Sequence, residues 1–251
     1  MRRIHSLVPV FLLVAACASP VPAGSPPAPS VNGASTASPT VAASPSAAPP
    51  SASAAPTTSD GAFVVGARLA PGTYTSVVFA TPLTFKFPDG WKVFEDELGQ
   101  FGLALLANDG PCVCSWRDVR AAAASGVESA QSGVGPSADA ITTWLAKQPG
   151  IKTTTPKPVT IGGLHGFVID LHVAAAGGGA PTVVGTSISR GVWWGVTSTS
   201  EQRLYLLDIG PNGSDGNIAI NVEVCCGVEF DQRTATVAPV IATFAFAATK
   251  P

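Results

Sequence analysis

Apolar residues fall in three different rhythms along this chain. Residues 7–15 form one almost unbroken apolar stretch, residues 18–60 show no periodicity, and from Phe63 onward short apolar runs are punctuated by Gly, Pro and Asp. Only the third rhythm is that of a folded domain, since period-two alternation buries one face of a strand and a three-to-four spacing does the same for a helix. Residues 83–87 and 91–95 flank Pro88-Asp89-Gly90, whose Asp-Gly suits the positive φ of a hairpin turn, and residues 101–107 continue as a third strand. Ser137 is placed to cap a helix in which Ile141, Trp144 and Leu145 share a face and which Pro149-Gly150 stops. Strands over 159–161 and 164–173 meet across Gly162-Gly163, with Phe167, Ile169, Leu171 and Val173 alternating against Asp170 and His172. Further strands are expected over 183–189, 192–198, 204–209 and 218–226, then a helix over 231–242 leading into Phe244 and Phe246. Together they predict one α+β domain over residues 61–251, with a largely antiparallel β-sheet in meander order and two main helices.

A family resemblance supports the same expectation. Phe85-x-Phe87-Pro88-x-Gly90-Trp91, the helix ahead of the Gly-Gly hairpin, and the closing Thr243-Phe244-Ala245-Phe246 resemble the PsbP-like α/β/α sandwich of bacterial lipoproteins of the LpqN type. The resemblance covers about residues 80–248 and implies an accessory, binding or assembly role. It assigns no site residue, and a fold does not by itself give a function.

The front of the chain reads as an address. Arg2 and Arg3 precede an apolar stretch too short to span a bilayer, which takes roughly 20 apolar residues. The stretch ends in Val14-Ala15-Ala16-Cys17, which resembles a bacterial lipobox. That resemblance implies a signal peptide over 1–16 and acylation of Cys17, whose thiol makes the thioether. The general secretory route fits better than twin-arginine export, because Ile-His-Ser follows the arginines. Residues 17–60 are then the lipidated cysteine and a stalk rich in Ser, Pro, Ala and Thr, with no aromatic residue and no charge before Asp60. Such a segment buries too little to offset its ordering entropy. At about 3.1 Å per residue in extended form it reaches up to roughly 100 Å from the lipid. The chain is therefore expected outside the cytoplasm, held to the bacterial cell membrane by palmitate-type acyl chains, with transfer to an outer membrane open in a diderm host. Loss of Arg2 and Arg3 with the leader leaves twelve basic against sixteen acidic side chains, a balance that gives nucleic acid no attraction.

Four cysteines lie in the domain: Cys112 and Cys114 in one segment, and the adjacent Cys225 and Cys226 in another. An even set outside the cytoplasm suggests two disulfides. Cross-links between the segments are favoured, since a ring closed between neighbours is strained. On the chain-entropy model the first would contribute about 4 to 5 kcal/mol. The alternative is a four-thiolate cage for copper(I) or zinc, although the spacing is unlike that of zinc ribbons.

Other candidates are weaker. Asp170 and His172 share a strand face and could form an acid–base pair, but alternation alone also places them there. Trp193 and Trp194 point to opposite faces of a strand, so one indole could stack on a ligand, while burial of both is the plainer reading. Ser214 lacks a nucleophile elbow and reads as part of a loop. The calcium ligand order is missing around Asp208, Asn212, Asp215 and Asn217, and Gly177-Gly178-Gly179 lacks the residues of a phosphate cradle. No catalytic, cofactor-binding or metal residue is assigned. The expectation is a non-catalytic binding or accessory lipoprotein whose partner is an envelope protein, a glycan or a small apolar ligand. A thiolate metal binder is its rival, and a hydrolase using Asp170 and His172 ranks third.

Overall fold

The computed structural model describes residues 61–106, 110–123, 129–174, 179–189, 191–197, 200–225 and 229–247. The predicted leader, Cys17, the predicted stalk and Cys226 lie outside these residues, and Cys225 is described in its backbone alone.

In chain order the strands begin with β1 (Arg68–Leu69), β2 (Gly72–Ser76), β3 (Leu83–Phe87), β4 (Trp91–Asp96), β5 (Gln100–Leu105), β6 (Cys112–Arg117) and β7 (Val119–Ala121). Helix α1 (Ala138–Leu145) precedes β8 (Ile151–Thr153), β9 (Lys157–Ile161), β10 (Leu164–Val173) and β11 (Gly179–Gly185). A single turn of 3-10 helix at Ser187–Ser189 leads to β12 (Trp193–Thr197), β13 (Ser200–Asp208), β14 (Asn217–Cys225), α2 (Phe230–Ile241) and β15 (Ala245–Phe246).

The α+β class expected from the sequence is corrected by this inventory. Among the described residues, fifteen strands and two α-helices of eight and twelve residues make a mostly β domain, more strand-rich than an α/β/α sandwich. The missed strands are short or lack a clean polar face. β7 and β8 have three residues each, and along β6 both faces carry largely buried side chains, so no alternation shows.

Nor is the sheet a meander. Its order is β1-β4-β5-β6-β14-β13-β10-β8, with β9 also on β10, while β12-β11-β7 and β15-β3-β2 form two smaller sheets. All the registered strand pairs are antiparallel.

Two cores form because both faces of the large sheet are covered. On one face Phe101, Leu103, Val113, Ile220 and Leu207 pack with Tyr74 and Phe85 from the β15-β3-β2 sheet and with Val237 and Ile241 from α2. On the other, Trp116, Ala219, Leu204, Leu206, Ile169 and Leu171 pack with Ile141 and Leu145 from α1 and with Val183 and Val196 from the β12-β11-β7 sheet. Each such side chain, fully buried, contributes about 1.5 to 3 kcal/mol. Ser137 caps α1 as expected, its Oγ accepting from the Ala140 N–H at 3.2 Å. Asp208 Oδ1 accepts from the Ala138 N–H at 2.7 Å, adding a carboxylate to the positive end of that helix.

Candidate functional site

The second face is not covered to its edge. Period-two alternation puts Cys112, Cys114 and Trp116 on this face of β6, and the register sets them opposite Glu223, Asn221 and Ala219 of β14. From β5, Gly102 stands opposite Cys114 and Ala104 opposite Cys112, and both are too small to fill the space above them. In β4 the register slips between Val93 and Glu95, a bulge that lets Phe94 lie across Gly102, where a Cβ would collide with its ring. The opposing wall is the Ser187–Ser189 turn together with residues 191–194. It comes close because Gly99 has no side chain: a Cβ there would collide with the Ile188 carbonyl.

Between floor and wall lies a cleft of about 340 Å³, lined by Phe94, Glu95, Cys112, Cys114, Trp116, Trp193, Trp194 and Glu223 among others. The Trp194 ring packs on that of Trp116, centroids 5.2 Å apart and tilted by 46°. Burial of both adjacent tryptophans, the plainer expectation, does not hold. Trp193 is 40 % exposed, and Trp194 is half-buried with its Nε1 enclosed and without a partner.

The polar groups of this face are in an unusual state. Asn221 is only 1 % exposed, yet among the described residues neither its Oδ1 nor its Nδ2 finds a hydrogen bond. Gln202, opposite Glu223 in register, donates from Nε2 to the Gly195 carbonyl at 2.7 Å but leaves Oε1 unpartnered. Buried polar atoms are nearly always paired, so these amides depart from the usual pattern among the described residues.

Burial also sets the protonation states. The Cys114 thiol is pushed up to about 12 by burial first, then by Cys112, Glu95 and Glu223. Cys112 is raised by burial and by Glu223, against a lowering effect of Lys92. Burial raises Glu223, and burial together with Glu97 raises Glu95. Neither thiol is an activated nucleophile, which would need a lowered value.

Among the described residues no disulfide joins the two predicted segments. Cys112 and Cys114 are free thiols, half-buried. The β14 backbone brings position 225 to the same end of the sheet, paired with Ser200, while Cys226 lies outside the described residues. No group of three or more His, Cys, Asp or Glu side chains placed to hold a metal occurs among the described residues.

Asp170 and His172 sit on the opposite face, each with its own partner. Arg203 donates to Asp170 through Nε and a terminal nitrogen at 2.6 and 2.9 Å, and its guanidinium stacks 5.5 Å over the Phe230 ring. His172 Nδ1 is 3.1 Å from Glu201 Oε1, and its ring meets Phe230 edge-on. No hydrogen bond joins the two among the described residues. The loop oxygens also have structural duties: Asn217 donates to the Val119 and Pro136 carbonyls and accepts from the Val119 N–H.

Sequence reasoning missed Asn221, Glu223 and Glu95. A signal was there for the first two, because in Asn217–Cys225 the apolar Ile218, Ile220 and Val222 alternate with Ala219, Asn221 and Glu223.

No family model matches the chain, and no curated protein matches it. A crystal structure from Bacteroides thetaiotaomicron VPI-5482 is similar over 67 % of this chain and 45 % of that one, at 19 % identity and a TM-score of 0.30. The chain thus spans less than half the length of that protein, and a likeness of this degree carries no argument about fold or function.

Proposed function

We propose that this chain is a membrane-anchored, extracytoplasmic, non-catalytic binding lipoprotein, and that the tryptophan-walled cleft is its ligand site. One observation carries the reading: a cleft at the small end of the usual ligand-pocket range gathers several aromatic rings beside the carboxyl groups of Glu95 and Glu223, which have no ion pair among the described residues. A few convergent polar groups in an otherwise aromatic hollow fix the orientation of a ligand. They do not activate one, since the thiols are held protonated. The anchor rests on the lipobox-like Val14–Cys17 run and the long stalk.

The test is native mass spectrometry of the full-length protein extracted from its own envelope. A small co-purifying mass that is lost in Trp193→Ala is expected. Turnover in a broad hydrolase and transferase screen, lost on changing one polar residue, would overturn the reading.

A second reading is favoured by one feature, that Cys112 and Cys114 share a face as free thiols. With Cys225 and Cys226 they would hold copper(I) or zinc. The mass of the non-reduced protein decides between this and disulfides: four hydrogens lost and no metal bound excludes the cage.

A further inference from the structure

We infer that the ligand of the cleft is an organic ammonium ion, a protonated amine carried on a small apolar body. This rests on the reading of the cleft as a binding site and goes beyond it by naming the chemical class.

Three features converge on that class. Glu95 and Glu223 line the cleft, and neither has an ion pair or a side-chain hydrogen bond among the described residues. No Lys or Arg is among the described lining residues; Lys92, paired with Ala104 beside Cys112, is near enough to influence that thiol but does not line the cleft. Phe94, Trp116, Trp193 and Trp194 present aromatic rings, whose faces attract cations and whose bodies receive apolar groups.

The alternatives fit less well. An anion would meet two carboxyl groups and find no cation among the described lining residues. A neutral ligand would cover the carboxyl groups without compensating their charge, which is costly once water has left. An ammonium group supplies both the charge and the N–H donors, and pairing a charge while hydrogen-bonding it is what makes its burial tolerable.

The experiment titrates full-length protein, in non-ionic detergent with micelle blanks, with benzylammonium and with its neutral isostere benzyl alcohol, read by tryptophan fluorescence. The amine is expected to bind at least about tenfold more tightly than the alcohol. Both Glu223→Gln and, as a second variant at the sheet rim, Glu95→Gln are expected to weaken the amine severalfold. Equal binding of amine and alcohol overturns the ammonium assignment while leaving the cleft a binding site. Failure of both probes, together with no co-purifying ligand, overturns the site itself.

Discussion

Asn221 stands directly across the β6–β14 pair from Cys114, almost wholly enclosed, with both ends of its amide unpartnered. An amide in that position costs the fold stability, and a chain shaped only for stability would carry a leucine there. Asn221→Leu is therefore expected to raise the unfolding free energy by about 1 to 3 kcal/mol, the cost of an unsatisfied buried polar group, while weakening ligand binding. Urea denaturation measures the first effect and fluorescence titration the second. A destabilised variant would mean that the amide serves the fold, and would remove it from the site.

Thiol chemistry gives a second prediction. With its value near 12, Cys114 carries about a thousandfold less thiolate at pH 8 than a cysteine at the ordinary 9.0, so alkylation by iodoacetamide should be very slow. Cys112 is the less buried of the two and should react first. Peptide mapping after timed labelling under reducing conditions gives the order. Faster labelling of Cys114 would contradict the enclosed geometry of the cleft floor.

The carboxyl groups give a pH dependence with a definite sign. Glu95 and Glu223 are raised in the fold by burial, so the folded state holds their protons more firmly than the unfolded chain does. Their contribution to stability is complete below the ordinary carboxyl value of 4.5 and is lost as pH climbs through the raised folded values. Glu223→Gln should accordingly stabilise the protein at neutral pH and flatten the decline above pH 4.5, as followed by thermal melts across a pH series.

On the opposite face the Asp170–Arg203 pair is structural. Asp170→Ala leaves the guanidinium over Phe230 without its two acceptors and should cost about 1 to 3 kcal/mol. His172→Ala, which gives up a half-exposed contact with Glu201, should change stability by less than about 0.5 kcal/mol. Equal losses on chemical denaturation would mean that the two residues act together after all, as an acid–base pair requires.

A fifth expectation concerns the anchor. Labelled palmitate should enter the wild-type chain, and Cys17→Ser should abolish both labelling and partitioning into detergent. Incorporation that survives the substitution would dismiss the lipobox-like reading.

Local elements were legible wherever one face was clearly apolar. The cap at Ser137 and the Gly162-Gly163 turn stand where pattern and turn chemistry put them, whereas the expected hairpin at Asp89-Gly90 does not form: β3 pairs with β2 and β15 and β4 with β1 and β5, so this turn carries the chain from one sheet to another. The fold class was not legible, because strands covered on both sides have no polar face to betray them, and β7 or β8 is too short to show any period. The cleft was half visible. The cysteines and the tryptophan pair drew notice as residue types, but their meeting depends on β6 sliding between β5 and β14, a pairing of distant segments that no local pattern encodes. Asn221 and Glu223 looked like the wet side of a strand, which alternation cannot distinguish from a lined hollow.

The close approach of Gly99 to the Ile188 carbonyl joins two stretches far apart in the chain, so the hollow exists only while both halves stay docked. Whatever fills it rewards the intact molecule and not the opened one, by simple mass action. For the anchored binding protein proposed above, occupied copies would outlive vacant ones wherever proteases act, and their number would come to record how much of the guest is nearby.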